Sequence, residues 1–243
     1  MSEAPAATPA PQGKSLPARV WGILTSPRET FADVVARPRW FGMMALVILV
    51  AVVCTGGFLY TDVGKQAWLD QAVRSMESSG TQVSDEAYAR VESVAKFAPY
   101  LAVGGILIFQ PLVTLALAGV LFAVFNAALG GDSSFKQTFA VVVHTGAISV
   151  VQQLFVAPLN YVRESMSSAT NLAVFLPMLD ETSFVAKFLG TVDLFIVWWV
   201  FLLAIGLSVL YRRKTGPIAT GLFVVYGIIA IIFAAVSSGG SGA

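Results

Sequence analysis

The sequence predicts an all-α, polytopic membrane protein, a five transmembrane helix bundle, on three observations. Hydrophobic residues fill 56% of the 243 positions and charged residues only 12%, about half of the roughly 25% usual in soluble domains. Mean hydropathy is +0.77. The apolar residues gather in runs of about 20 or more, the length that ~30 Å of hydrocarbon requires of a helix. The same arithmetic excludes other classes. A net charge of +1 supplies no global basic field for nucleic acid. One Cys and one His exclude a disulfide framework, a zinc cluster and an iron–sulfur site, and no cofactor is expected.

Residues 1–17 are Ala/Pro-rich and predict a disordered tail. Residues 18–40 predict a cytoplasmic, interfacial amphipathic segment. Within it Ser26 is placed to cap a helix, Pro27 suits its first position and Glu29 can close a capping box. That helix should run to about Arg37 and stop before Pro38. Phe31, Val34 and Val35 then share one face, beside the basic Arg28, Arg37 and Arg39. Two readings stand: a stub that orients the first span, or a docking element.

The five spans are about 41–60, 97–129, 137–160, 188–211 and 217–236. The first apolar run begins near Phe41 and is too long for the apolar stretch of a signal peptide. The second span should tilt or kink near Gln110–Pro111. Residues 61–96, with Trp68, Leu69, Val73 and Met76 at helical spacing and a break at Ser78-Ser79-Gly80, predict a helical insertion outside the membrane. The Ser-Ser-Gly-Gly-Ser-Gly-Ala end, 237–243, predicts a flexible tail. Five spans put the termini on opposite sides. Lys14, Arg19, Arg28, Arg37, Arg39, Lys136, Arg212, Arg213 and Lys214 fall on one side, nine cations against six on the other. The positive-inside rule therefore predicts a cytoplasmic N-terminus and an extracytoplasmic C-terminus, for a protein read as lying in the cell (inner) membrane.

Between spans two and three, Gly130 and Gly131 should end one helix, while Ser134 and Gln137 have capping-box spacing for the next. This turn requires every residue it contains except Phe135. Among intramembrane polar groups, Gln110, Asn126, His144, Gln152, Gln153 and Asp193 are few and scattered. His144 and Gln153 fall on opposite helix faces, so no continuous proton or ion path is expected. His144 reads as a helix–helix hydrogen-bonding residue. Asp193, near the outer end of span four, is expected to pair with Lys96, Lys187 or Arg163. No His-Glu-x-x-His, Gly-x-Ser-x-Gly or paired mid-membrane aspartates are present, so no catalytic or metal residue is assigned.

Three stretches together resemble the Yip-domain family of five-span membrane proteins, named for Ypt/Rab-interacting proteins. They are TSPRETFADVVARPRW before span one, GGDSSFKQTFAVVVH opening span three, and VDLFIVWWVFLLAIGLSVLY in span four. Order and spacing match over most of residues 18–236. Where that pattern has a proline in span three, this sequence reads Gly146-Ala147-Ile148-Ser149. The resemblance implies five helices and a cytoplasmic N-terminus. Eukaryotic members act in vesicle traffic and bind small GTPases; the Ala/Gly-rich composition here looks bacterial, so a GTPase partner is an analogy.

The reading is therefore a non-enzymatic scaffold that organises membranes and recruits membrane or cytoplasmic protein partners alongside membrane lipids. The alternative is a small permease or lipid-handling protein. The expected interaction surface joins Phe31, Val34, Val35, Arg37 and Arg39 to Asp132, Phe135 and Lys136 and to Arg212 and Arg213. The polar residues of interest within the membrane are His144, Gln152 and Asp193.

Overall fold

The computed structural model describes residues 13–78, 81–180 and 183–239, and among these the regular elements are helices. Residues 1–12 of the expected disordered tail and 240–243 of the expected C-terminal tail lie outside the described residues. The described part of the N-terminal tail is ordered. Lys14 pairs with Glu29 at 3.0 Å, and helix α1 (Leu16–Thr25) begins two residues later with Pro17 in its first turn.

Helix α2 (Pro27–Ala36) follows after Ser26 alone. The capping box expected there does not form. Ser26 joins two helices, with its N–H committed to the Gly22 carbonyl, and its side chain caps nothing. Glu29 turns instead to Lys14.

The first span, Phe41–Tyr60, comprises α3 (Phe41–Ala51), a π-helical turn Val52–Gly56 and α4 (Gly57–Tyr60). Helices α5 (Asp62–Ser78) and α6 (Asp85–Ala95) come next and pack on each other. Ser84 caps α6 by accepting from the Ala87 N–H at 3.2 Å. The second span is α7 (Ala98–Phe122), which continues through Pro111, closed by a π-helical stretch Ala123–Ala128. Gly130, at φ +67°, ends it in the left-handed conformation that glycine adopts without a Cβ penalty.

The third span is divided at Gly146 into α8 (Phe135–Thr145) and α9 (Ala147–Val162). The break needs no proline. The Gly146 N–H bonds to Val143, three residues back, and a Cβ there would sit 2.9 Å from that carbonyl oxygen. The fourth apolar run is likewise two helices, α10 (Phe184–Thr191) and α11 (Leu194–Leu210). At 17 residues α11 is at the short limit for a span of roughly 17–25. Helix α12 (Thr215–Gly239) completes the bundle.

Among the described residues four helices are long and apolar enough to cross a membrane, with α11 the shorter fifth. The third span is 56% buried, against 17% and 22% for the second and last. It is therefore the axis, while α7 and α12 present most of their surface outward. The core joins Ile23 and Phe31 of the N-terminal pair to Met43 and Val47 of α3, Val141 and Val142 of α8, and Leu202, Leu203 and Leu207 of α11. Helices α1 and α2 are thus part of the bundle, where the sequence predicted a segment lying at the interface. Gly206 admits α2: a Cβ there would approach Val141 to 2.6 Å and the Phe31 ring to 3.0 Å.

Candidate functional site

Phe31 and Val34 are fully buried, so they hold α2 to the bundle and offer no apolar docking face; Val35 is half-buried. Insertion of α1 and α2 carries a charge inward. Arg19 is 4% exposed. Its Nε and Nη2 donate to Asp33 Oδ2 at 3.0 and 2.9 Å. Its Nη2 and Nη1 also donate to the carbonyls of Arg37 at 3.2 Å and Arg39 at 3.4 Å. Arg37 Nη1 reaches the second oxygen of Asp33 at 3.4 Å. A buried cation is tolerable only when its charge and N–H groups are matched this way.

The fourth side of Arg19 is His144, with Nη1 3.3 Å from Nε2. His144 Nδ1 lies 2.7 Å from the Ala140 carbonyl oxygen, which can only accept. The ring therefore carries its proton on Nδ1 and offers the Nε2 lone pair to the guanidinium. His144 is a helix–helix hydrogen-bonding residue whose partner is Arg19, nine residues along the axis, about 13 Å, from the start of α8. Arg19 and Asp33 belong to this site although the sequence does not single them out. Nothing in their spacing of fourteen marks them as joined to a histidine 125 residues away.

Three segments distant in the chain are stitched at this end of the bundle. The capping box of Ser134 and Gln137 opens α8, and Gln137 Nε2 donates to the Val35 carbonyl at 3.2 Å. Arg28 Nη2 reaches Thr215 Oγ1 at 3.1 Å, and Arg213 Nη2 reaches the Leu129 carbonyl at 2.6 Å. Beneath them Ser133 Oγ bonds Tyr211 Oη at 2.8 Å and Asn126 Oδ1 at 3.0 Å, while Tyr211 stacks on Phe125 at 4.7 Å. Asn126 thus serves a turn.

Arg28, Arg39, Asp132, Lys136, Arg212, Arg213 and Lys214 are exposed around this stitched end, with Arg37 half-buried. Phe135 is 39% exposed and rests against Phe122 at 5.7 Å and Phe139 at 6.0 Å, so part of its ring is already used by the bundle.

Asp193 corrects the expected ion pair. The division of span four makes it the cap of α11. Its Oδ1 accepts from the N–H groups of Phe195 at 2.8 Å and Ile196 at 3.3 Å. Its Oδ2 accepts from the hydroxyls of Ser168 and Thr170. A helix N-terminus supplies the positive partner that a lysine was expected to supply. Lys187 bonds the Ser237 carbonyl instead, at 2.8 Å, and Arg163 the Ser167 carbonyl, at 3.4 Å.

The remaining polar groups meet across helices. Gln110, Thr114, Ser149 and Gln152 line a cavity of about 480 Å³ between α3, α7, α8, α9 and α11. Gln152 and Gln153 also border a second, of about 240 Å³, with Thr55 and Asn160. Asn160 Oδ1 is buried and has no hydrogen-bond partner. Periodicity along one helix missed this grouping because its members come from several.

The family model described as the Yip1 domain matches residues 21–237. The chain is 24% identical over 221 residues to the Bacillus subtilis (strain 168) protein described as membrane protein YknW, covering 87% of each. No solved structure matches the chain.

Proposed function

Because the chain belongs to the Yip1-domain family of membrane proteins, we propose that it is a non-enzymatic scaffold that organises the membrane and recruits protein partners through the stitched end of the bundle. One observation carries this reading: three remote segments are fixed together there, and the exposed side chains they gather are mainly cations. A rigid, basic face suits an acidic partner, because electrostatic complementarity steers encounter and the fixed backbone limits the ordering cost. By the positive-inside rule this face is cytoplasmic. A small GTPase is one partner of that kind, by analogy with eukaryotic relatives.

Native-host crosslinking tests the reading with a chain in which Arg28, Lys136 and Arg212 are replaced by Gln. Loss of specific partners from a chain that still inserts in the same orientation supports recruitment. An unchanged partner profile reduces the face to a set of topological anchors. The adjoining cavities and the unsatisfied Asn160 Oδ1 favour a second reading, a small permease. Proteoliposomes that pass protons or glycerol, and stop doing so with Gln152→Leu, would select it.

A further inference from the structure

The outward-facing helices α7 and α12 leave a groove between them that the bundle does not fill. It is lined by Leu117, Val120, Val124, Leu129 and, across from them, Pro217, Ile218, Leu222 and Val225, and it encloses about 660 Å³. That volume is within the roughly 300–1,000 Å³ of small-molecule sites. Its walls are apolar along their length, and Arg213 and Lys214 line it at one end. From Leu129 to Leu117 the groove follows twelve residues of helix, about 18 Å, and from Pro217 to Val225 eight residues, about 12 Å. Half of a ~30 Å hydrocarbon core is about 15 Å. The groove therefore has the depth of one leaflet, with its basic end where headgroups lie.

We infer that this groove is a site for an anionic phospholipid, its acyl chain along α7 and α12 and its phosphate at Arg213 and Lys214. Charge complementarity and leaflet depth select this occupant. A zwitterionic lipid leaves two cations without a net partner, and a helix of a second copy gives no reason for cations at the mouth. Among the described residues no carboxylate lines the groove. Arg213 is already oriented there, because one of its five N–H donors is pinned to the Leu129 carbonyl. The site adjoins the recruiting face, since the Arg213–Leu129 bond belongs to both, but the recruitment test replaces Arg28, Lys136 and Arg212, none of which lines the groove.

Gly221 makes the test clean. It lines the groove, and a Cβ added there meets nothing within 4 Å, so the Gly221→Phe side chain starts into the groove without a clash at its Cβ, and the melting temperature checks that the fold is kept. The full chain, purified in mild detergent, is titrated with phosphatidylglycerol and with phosphatidylcholine and read by native mass spectrometry. The wild type is expected to hold one phosphatidylglycerol at least about tenfold more tightly than phosphatidylcholine, as two basic groups near an anionic headgroup supply. Replacing Arg213 and Lys214 by Gln brings the two lipids to parity. Gly221→Phe abolishes the single bound lipid while the melting temperature stays at the wild-type value. Equal binding of both lipids by the wild type overturns the inference, as does a Gly221→Phe chain, folded by the same melting criterion, that still retains phosphatidylglycerol. A dimer that persists on adding phosphatidylglycerol and dissociates with Gly221→Phe overturns it too, and assigns the groove to a second copy.

Discussion

Arg19 brings a full charge into an apolar core, and everything that makes this tolerable comes from four groups around it. Asp33→Ala removes the countercharge and leaves the guanidinium with carbonyls and an imidazole. Breaking a buried pair costs about 3–5 kcal/mol, so the chain should melt well below the wild type in detergent. Replacing both partners by apolar residues, Arg19→Met with Asp33→Leu, removes the stranded charge and should recover a large part of that loss. A double variant no more stable than Asp33→Ala would show that the charges do more than hold α1 to α2. The imidazole makes a separate prediction. The His144 Nδ1 contact to Ala140 requires the Nδ1–H tautomer, which 15N resonances of the ring report directly; an Nε2–H signature would mean that Arg19 faces elsewhere. Asp193 is the milder case. Asp193→Asn keeps an oxygen for the Phe195 and Ile196 N–H groups, whereas Asp193→Ala forfeits the cap at a cost of about 0.5–2 kcal/mol. Thermal unfolding should rank wild type first, the Asn variant next and the Ala variant last.

At the scale of elements, the decisive contact is α2 against α8 and α11. Gly206→Leu would drive a side chain into Val141 and Phe31, and overpacking of this kind costs about 1–3 kcal/mol. Because only α2 can move aside without breaking a span, the expected outcome is release of the N-terminal pair, read as rapid proteolysis between residues 25 and 40 with the spans intact. Uniform loss of the whole bundle would place the strain in α11 instead. The same contact shows where the sequence was legible. The long apolar runs, the glycine stop at Gly130 and the Ser134–Gln137 cap could be read because each follows from local spacing. Burial of Phe31 and Val34 could not. An amphipathic ten-residue helix has the same pattern whether its apolar face meets lipid headgroups or Gly206, and the difference depends on a residue 175 positions further on. The role of Asp193 is hidden for a related reason: Phe188–Tyr211 has no proline or paired glycines to announce a break, so nothing local shows that this carboxylate starts a helix and needs no lysine. Gln110 and Gln152 were read on separate helices, and their meeting is a property of packing.

For the whole molecule, the stitched end and the α5–α6 region are expected to face opposite compartments, with the former in the cytoplasm. In a Cys54→Ser background, a cysteine at Glu92 should react with an impermeant reagent from outside and one at Lys136 should not; the reverse labelling would invert the molecule. The division of span three at Gly146 has a consequence across the bilayer. The Gln137 cap, the Tyr211–Ser133 bond and the Arg19–His144 contact all fall on the α8 side, whereas α9 borders both cavities and α8 only the larger, through Val142 and Val143. Local openings draw on the regions with fewest packed contacts, so backbone amides of one continuous span should fall into two kinetic classes. Deuterium uptake in nanodiscs should be slow over residues 139–145, which open only when the whole fold does, and faster over 149–156. Such a protein should yield one leaflet at a time: a thinner bilayer is then expected to speed deuterium uptake in the α9 half while the opposite face keeps its shape.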